Sequence, residues 1–426
     1  VKVLVIGNGG REHALAWKLL QSDKIKQVVC IPGNGGTATM KNCQNIPLAL
    51  NDFAGISKFA IENAISLVVV GPEVPLAEGI TDYLKSSGLR VFGPNKAGAR
   101  IEASKAWAKE LMVKAGVPTA KAAVFTEVTP AKEYVKSQGV PIVIKADGLA
   151  AGKGVTVAET LTQAENAIDA IFDGQFGSAG SSVVIEECLL GEEVSVLAIT
   201  DGISIRPLLP AQDHKRIGEG DTGENTGGMG AYTPAPIATP ELMERVQIEV
   251  LEKTITALQD QGIDYQGILY AGLMITPDGD FRVLEFNCRF GDPETQVILP
   301  MLETPLEDLM FACIEKRLGD MPPIVWKQGF SATVVAAAGG YPGNYEKNDL
   351  ITGLADAEGT GARVFHAGTR LNEQDHVVTN GGRVLNITGT GRDFSQAIAQ
   401  AYSGIAQIKF NGMYYRRDIG HRLKKQ

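Results

Sequence analysis

The stretch "RVLEFNCRFGDPETQ", residues 282 to 296, places Glu285, Asn287 and Arg289 at every second position before a break at Gly291, Asp292 and Pro293. Alternation with period two puts those three side chains on one face of a strand and turns Leu284 and Phe286 the other way. Carboxylate and amide oxygens suit a hard cation such as Mg2+, whereas zinc would call for the sulfur or imidazole cluster that this stretch lacks. Such a cation implies a nucleotide whose phosphates it bridges. Arg289 offers a planar fork for a carboxylate or phosphate oxygen, and Asp292, past the turn, is placed to take an ammonium. The plainer account is a polar strand face turned to solvent.

Cations to meet those phosphates stand earlier in the chain. "VIKADGLAAGKGVTV", residues 143 to 157, sets Lys145 in an expected strand, where an unpaired ammonium would be costly to bury. A glycine-rich loop with Gly152, Lys153 and Gly154 follows, so the segment reads as a triphosphate clamp with a lid from 148 to 154. It is not a P-loop: "GLAAGKG" has one residue too few before its Lys and ends in Gly rather than Ser or Thr. Lys105, at the start of a helix that Ser104 caps, is a further candidate. For each lysine taken alone, a solvated surface charge is the alternative.

"VVIEECLLGEEVSV", residues 183 to 196, ends a strand in Glu186 and Glu187 and resumes after a short linker. Such a break can form a hinge whose backbone reads an adenine edge, with Leu189 as an apolar wall and Glu193 reaching a ribose. Two strands with acidic loop ends would look the same. At the start, "VIGNGGREHAL" sets Gly7, Gly9 and Gly10 between a strand and a helix, a cradle in which backbone N–H groups meet an anion. Glu12 stands where a dinucleotide site has its third glycine, so a smaller phosphorylated ligand fits better. "GPEVPL", residues 71 to 76, also follows an apolar strand, and its Glu73 is a candidate for ribose hydroxyls or merely a charged turn. "QDHKRIGEGDTGENTGGMG" sets Asp213, His214, Lys215 and Arg216 ahead of a long glycine-rich loop, expected to be flexible and to serve substrate recognition and closure. The residues leave His214 open between an orienting role and acid–base work.

The elements needed to hold these groups are legible in outline. Residues 1 to 103 alternate continuous apolar strands with crossover helices, the pattern of an open parallel sheet whose ligands meet the carboxyl ends of the strands. The expected division is 1–103 as an α/β substrate domain, 104–120 with 191–328 as a central catalytic domain, 121–190 as a mobile α+β lobe, and 329–426 as a small C-terminal domain rich in strands and tight turns.

Bulk properties narrow the class. A chain of 426 residues has room for several domains, and a net charge of −9 argues against a protein built to neutralise nucleic acid. Five scattered cysteines, with neither a disulfide framework nor CxxC spacing, suit a reducing cytoplasm. No apolar run approaches a membrane span, and no secretory signal precedes the first strand.

Taken in order, "GNGGREHAL", "GPEVPL", "GPNKAGARIEASKAWAK", "IKADGLAAGKGV", "EECLLGEEVS", "QDHKR", "GENTGGMG" and "LEFNCRFGDPETQ" make the whole chain resemble the phosphoribosylamine–glycine ligases, a family of the ATP-grasp superfamily. The resemblance implies a parallel-sheet N-terminal domain, an ATP-grasp pair of lobes and a small C-terminal domain. It implies ATP as cosubstrate and Mg2+, with Mn2+ as an alternative, held by Glu285 and Asn287. Lys105 and Lys145 would meet the nucleotide phosphates under Gly152 and Gly154, the segment from Glu186 and Glu187 to Leu189 the adenine, and Glu193 the ribose. Gly9, Gly10, Arg11, Glu12 and Glu73 would lie on the phosphoribosylamine side, with Asp213, Lys215, Arg289 and Asp292 around the substrates; Lys145, Arg289 and Asp213 take the catalytic roles. Glycine and 5-phosphoribosylamine are the implied partners of a cytoplasmic monomer in purine synthesis, with transient contact to the enzyme that makes the amine. Another ATP-grasp ligase or a bicarbonate-using carboxylase is the alternative.

Overall fold

The computed structural model describes residues 1–150 and 152–425; Ala151, inside the 148–154 loop expected to act as a lid, and Gln426 lie outside the described residues. Five parallel strands open the chain, in the spatial order Cys43–Asn45, Gln27–Pro32, Lys2–Gly7, Leu67–Val70 and Val91–Phe92. Leu4 and Ile6 enter one apolar core while Val3 and Val5 enter another, because helices such as Gly10–Leu19 and Phe53–Glu62 leave neither face of a crossover-built parallel sheet to water. The carboxyl ends at Gly7 and Val70 are therefore where side chains can meet a ligand.

An antiparallel sheet of Ala122–Phe125, Val183–Glu187, Ile142–Ala146 and Val155–Ala158 carries the helices Val128–Gln138 and Leu161–Phe172. It has its own core, in which Ile144, Ile185 and Val183 pack against Val135 and Ile168. A second antiparallel sheet, ordered Ile205–Pro207, Glu192–Thr200, Gly267–Ile275 and Phe281–Asn287, shares its core with the N-terminal unit and with the helix Lys105–Ala115 through Trp107, Leu111 and Met112. Ser104 caps that helix, its Oγ accepting from the Trp107 N–H at 3.1 Å.

The last sheet draws on both sides of residue 329. Its order is Gln212–Asp213, Gly230–Thr233, Phe330–Ala337, Arg383–Gly391 and Arg363–His366, and the helix Phe394–Ile405 covers it. The segment between its first two strands, expected to be a flexible loop, instead contains the hairpin Arg216–Gly218 with Thr222–Asn225. Arg416, wholly buried, straps it down: its guanidinium pairs with Asp221 at 3.0 Å and Asp418 at 2.8 Å, and donates to the Arg216 carbonyl.

The strand Phe281–Asn287 departs from strict alternation. Gly272 faces Glu285 and Leu273 faces Val283, so Leu284 is the extra residue of a β-bulge. The bulge shifts the phase: Phe281, Val283 and Phe286 enter the core, whereas Leu284, expected beside Phe286, does not. The strand ends at Asn287, and Arg289 lies beyond it; nevertheless the Arg289 guanidinium donates to Asn287 Oδ1 at 3.3 Å, which keeps the two on one side.

Candidate active site

Lys145 lies in the small lobe's sheet, buried, with Nζ 2.8 Å from Glu186 Oε2 and 3.2 Å from the Leu284 carbonyl that the bulge exposes. Lys109 holds the other oxygen of the same carboxylate at 3.2 Å. An ammonium that would be costly to bury alone is thus compensated, and Glu186 is shared between two cations. The Glu186 side chain is committed to this pair; the backbone of its strand is what remains for an adenine edge. Glu187, at the strand's exposed end, accepts from the Lys121 N–H, and Leu189 is half-buried just beyond.

Lys105 donates to the Gly148 carbonyl at 2.8 Å, so helix and glycine-rich loop meet at this amine. Burial lowers its pKa, with Lys145 adding to the effect. Asp147 ties the same junction together: its carboxylate accepts from Ser104 Oγ, the Ala106 N–H and Ser182 Oγ at 2.8 to 3.1 Å. Gly152 has φ +75°, a left-handed turn that favours glycine, and a Cβ on Gly154 would stand 2.8 Å from that of Ala150.

Opposite the lysines stands Glu285. Burial would raise its pKa, but Lys215, Lys145, Lys105 and Arg289 outweigh this and hold it below the usual carboxylate range. Among the described residues no group hydrogen-bonds its carboxylate, and none forms a cluster of three or more His, Cys, Asp or Glu able to hold a metal. A charged carboxylate and an amide oxygen two residues on fit a hard cation that takes its remaining ligands from phosphates and water.

Arg289 is the best-anchored cation of the cleft. It pairs with Glu102 at 2.9 Å and Glu73 at 3.2 Å; burial alone would lower its pKa, but the two carboxylates raise it. Glu73 is therefore committed to Arg289. Nothing in the sequence singled out Glu102, or Lys109 and Asp147: an acid or lysine on a helix and an acid at a strand end have no spacing that distinguishes them from solvated charges.

The glycine turn at the N-terminus is filled from within. Glu12 Oε2 accepts the Gly9 N–H at 2.6 Å, and its other oxygen takes Arg11 Nε at 2.6 Å. Side-chain atoms of Glu12 lie 2.0 to 2.9 Å from where Cβ atoms on Gly7 and Gly71 would stand, so those strand ends must be bare. Gly10 is hemmed by Asn386 and Gln296. Asp292 accepts from the Arg11 N–H at 3.1 Å and Gln296 at 2.8 Å, and lies 3.5 Å from Arg383, bringing the N-terminal and C-terminal units to one corner.

Lys215 and Glu193 meet at 2.5 Å. Asp213 is buried in the short strand just before; desolvation, assisted by Glu294 and Glu193 and opposed by Lys215, pushes its pKa up to about 7. His214 is fully buried and points away from this cleft: its Nε2 accepts the Gly420 N–H at 3.0 Å, and burial drops its pKa to about 3. It is a neutral anchor for the C-terminal segment.

A parallel-sheet unit, two lobes facing each other across lysines and acids, and a C-terminal sheet together define an ATP-grasp enzyme, a class that uses ATP and Mg2+ generally. A crystal structure of biotin carboxylase from Campylobacter jejuni shares this fold with a TM-score of 0.72 over 97% of the chain and 92% of its own, at 16% identity. The family profiles are more specific: phosphoribosylglycinamide synthetase N domain over residues 1–102, ATP-grasp (A) domain over 103–295 and C domain over 331–422. A phosphoribosylamine–glycine ligase of Nostoc sp. is 73% identical over 99% of this chain and 100% of its own. The crystal structure of the Thermotoga maritima phosphoribosylamine–glycine ligase matches with a TM-score of 0.84 at 34% identity, over 98% of this chain and 100% of that one. The chain belongs to the phosphoribosylglycinamide synthetase family.

Proposed function

We propose that this cleft joins glycine to 5-phosphoribosylamine at the expense of ATP, giving glycinamide ribonucleotide, ADP and phosphate. The observation that carries the residue assignment is the convergence of Lys105, Lys145 and Lys215 on an ionised Glu285, beside an Arg289 locked by two carboxylates. The glycine carboxylate attacks the γ-phosphoryl group of ATP, forming an acyl phosphate and releasing ADP. The amine of phosphoribosylamine then attacks the carbonyl, phosphate leaves, and the nitrogen gives up a proton as the amide forms. No protein nucleophile is needed, so catalysis comes from positioning and charge neutralisation.

Lys105 and Lys145 face the phosphates, Arg289 orients an attacking carboxylate, and Asp213 lies where a proton can be taken. Glu285 and Asn287 would hold Mg2+, which supplies charge neutralisation on the transferring phosphoryl group. Gly152 and Gly154 give the covering loop its conformational freedom, the backbone from Glu186 and Glu187 to Leu189 reads adenine, and Glu193 with Lys215 borders the ribose. Gly9, Gly10, Arg11, Glu12, Glu73 and Asp292 shape the sugar-phosphate side. The separate core of the 121–190 lobe supports its reading as a body that closes over the site, with 1–103, 104–120 plus 191–328, and 329–426 as the other units. Closure would keep water from the acyl phosphate. No helix among the described residues is long and apolar enough to cross a membrane.

The test is to follow ADP, phosphate and amide with Mg2+, ATP, glycine and freshly generated phosphoribosylamine, omitting each in turn. Equal amounts of all three products, requiring both substrates, are expected. ADP formation driven by bicarbonate instead of glycine would make the enzyme a carboxylase on the same fold.

A further inference from the structure

Gln212 opens the short strand Gln212–Asp213 with 1% of its surface exposed, and the reaction as described leaves it without a role. Its carboxamide is engaged at both ends. Oε1 accepts from the Tyr232 hydroxyl at 2.5 Å, and Nε2 donates to the Glu193 carbonyl at 3.0 Å, with a longer contact of 3.4 Å to Glu192 Oε2. Tyr232 is wholly buried, faces Gln212 across the strand pair, and has its ring held edge-on by Phe394 at 5.3 Å between centroids. Turning the amide over would set its oxygen against the Glu193 carbonyl oxygen, so the side chain has one orientation open to it.

The backbone explains why that carbonyl takes a side-chain partner. Ser195 exchanges both of its backbone hydrogen bonds with Ala211, at 2.7 and 3.0 Å, so its polar groups point away from the neighbouring strand Gly267–Ile275. Glu193, two residues back on the same strand, turns its backbone groups the same way. Beyond Ala211 the chain leaves to pair with Gly230–Thr233 in the C-terminal sheet, and the Gln212 carboxamide takes the place of the next rung. One side chain thus ties the central sheet, through Glu193, to the C-terminal sheet, through Tyr232.

What it holds in register is the pair that borders the ribose in the proposed reaction. Glu193 Oε2 meets Lys215 at 2.5 Å, and Lys215 stands three residues after Gln212 on the same segment. Both side chains are 38% exposed, so packing does not fix either of them. Their placement rests on the backbone beneath: Glu193 belongs to the central sheet, Lys215 follows a strand of the C-terminal sheet, and Gln212 joins the two. We infer that Gln212 is a positioning residue for recognition of the nucleotide sugar: by fixing the Glu193 backbone against the strand that leads into Lys215, it sets where the Glu193 carboxylate stands and how strongly the enzyme demands ribose hydroxyls. It acts through Glu193 and not on the nucleotide directly. This rests on the reading of Glu193 as the ribose contact.

2′,3′-Dideoxy-ATP is the probe, because it keeps the base and the triphosphate and lacks both hydroxyls that Glu193 would accept from. The wild-type enzyme should use ATP with a kcat/KM about tenfold or more above that for the dideoxy nucleotide, the scale of a hydrogen bond to a charged group. Gln212→Met keeps the length of the side chain and removes its donor and acceptor. It should lower kcat/KM for ATP by about fivefold or more and change that for the dideoxy nucleotide by no more than about twofold, since a sugar without hydroxyls does not sense where Glu193 stands. A purely structural role would lower both by the same factor and overturn the inference. Tyr232→Phe leaves the carboxamide in place but frees its Oε1 end, and serves where Gln212→Met does not fold; it should shift the same ratio in the same direction, and an unchanged ratio overturns the inference. Glu193→Gln separates the two levels. Discrimination that survives in Glu193→Gln removes the ribose reading and the inference with it, whereas discrimination lost there but intact in Gln212→Met and Tyr232→Phe removes the inference alone.

Discussion

Lys145 Nζ and Glu186 Oε2 lie 2.8 Å apart, both buried, with Lys109 on the far oxygen of the same carboxylate. The pair joins two strands of the small lobe, and through the Leu284 carbonyl it also reaches the central sheet. The lysine proposed to meet the nucleotide phosphates is thus held in place by the protein's own groups.

Replacing Lys145 by Ala should lower kcat by about 10²–10³, the usual effect of losing one preorganised donor to a developing charge. Lys109 remains on Glu186, so the thermal transition should fall by only a few degrees and stay cooperative. Glu186→Gln is the contrasting variant: it leaves two buried ammonium groups without the carboxylate they share, and should cost roughly 3–5 kcal/mol in denaturant unfolding. Equal stabilities for the two variants would contradict this division of labour.

Arg289→Lys keeps the charge but loses the fork that reaches Glu73 and Glu102 at once. Steady-state turnover at saturating ATP should show a fall in kcat/KM for glycine of about 10²-fold, in the range of one lost bidentate, charge-assisted contact. Retention of wild-type kcat/KM would remove Arg289 from the site.

Asp213 gives a signed pH dependence. Its folded pKa, pushed up to about 7 by burial, lies above its ordinary value of 3.8, so the folded state binds the extra proton between those limits. The stability this proton contributes is fully present below pH 4 and is lost as pH rises through about 7. Asp213→Asn removes the effect: it should be inactive, yet gain on the order of 4 kcal/mol relative to wild type on going from pH 4 to pH 8, about three pKa units at 1.36 kcal/mol each. Urea unfolding at the two pH values is the measurement, and a difference that does not change with pH would refute the assignment.

Glu285→Gln removes the charged oxygen and leaves the neutral one. The free Mg2+ needed for half-maximal ADP formation should rise at least tenfold, since even outer contacts of a metal site are worth about 10–100-fold. Unchanged magnesium dependence would count directly against the role of Glu285.

Much of the placement of the candidate residues is legible in the sequence because period-two alternation and glycine-rich strand ends report on local geometry. Glu285, Asn287 and Lys145 follow from which face of a strand a residue must take. The missing part is what residues hundreds of positions apart do to one another. Leu284 left the core because its partner strand is one residue shorter there, which no pattern within 281–287 can reveal. In the sequence Glu12 is only the residue that denies a dinucleotide its glycine; that it folds back to fill the turn depends on Gly71, from the next strand over. Lys109, Glu102 and Asp147 gave no signal, since a buried counter-ion differs from a surface charge only in its neighbours. The hairpin at 216–225 was hidden for the same reason, its order being imposed by Arg416.

The strands Gln212–Asp213 and Gly230–Thr233 belong to the same sheet as Phe330–Ala337. A polypeptide severed near residue 329 would leave Gly230–Thr233 without its neighbour and free the loop that presents Lys215, so the catalytic half cannot be minimised by trimming its tail. Two fragments made separately should restore turnover only by rebuilding that ladder between them. Any gene rearrangement that exchanged the C-terminal portion would likewise hand the new sequence control over how Asp213 and Lys215 are aimed.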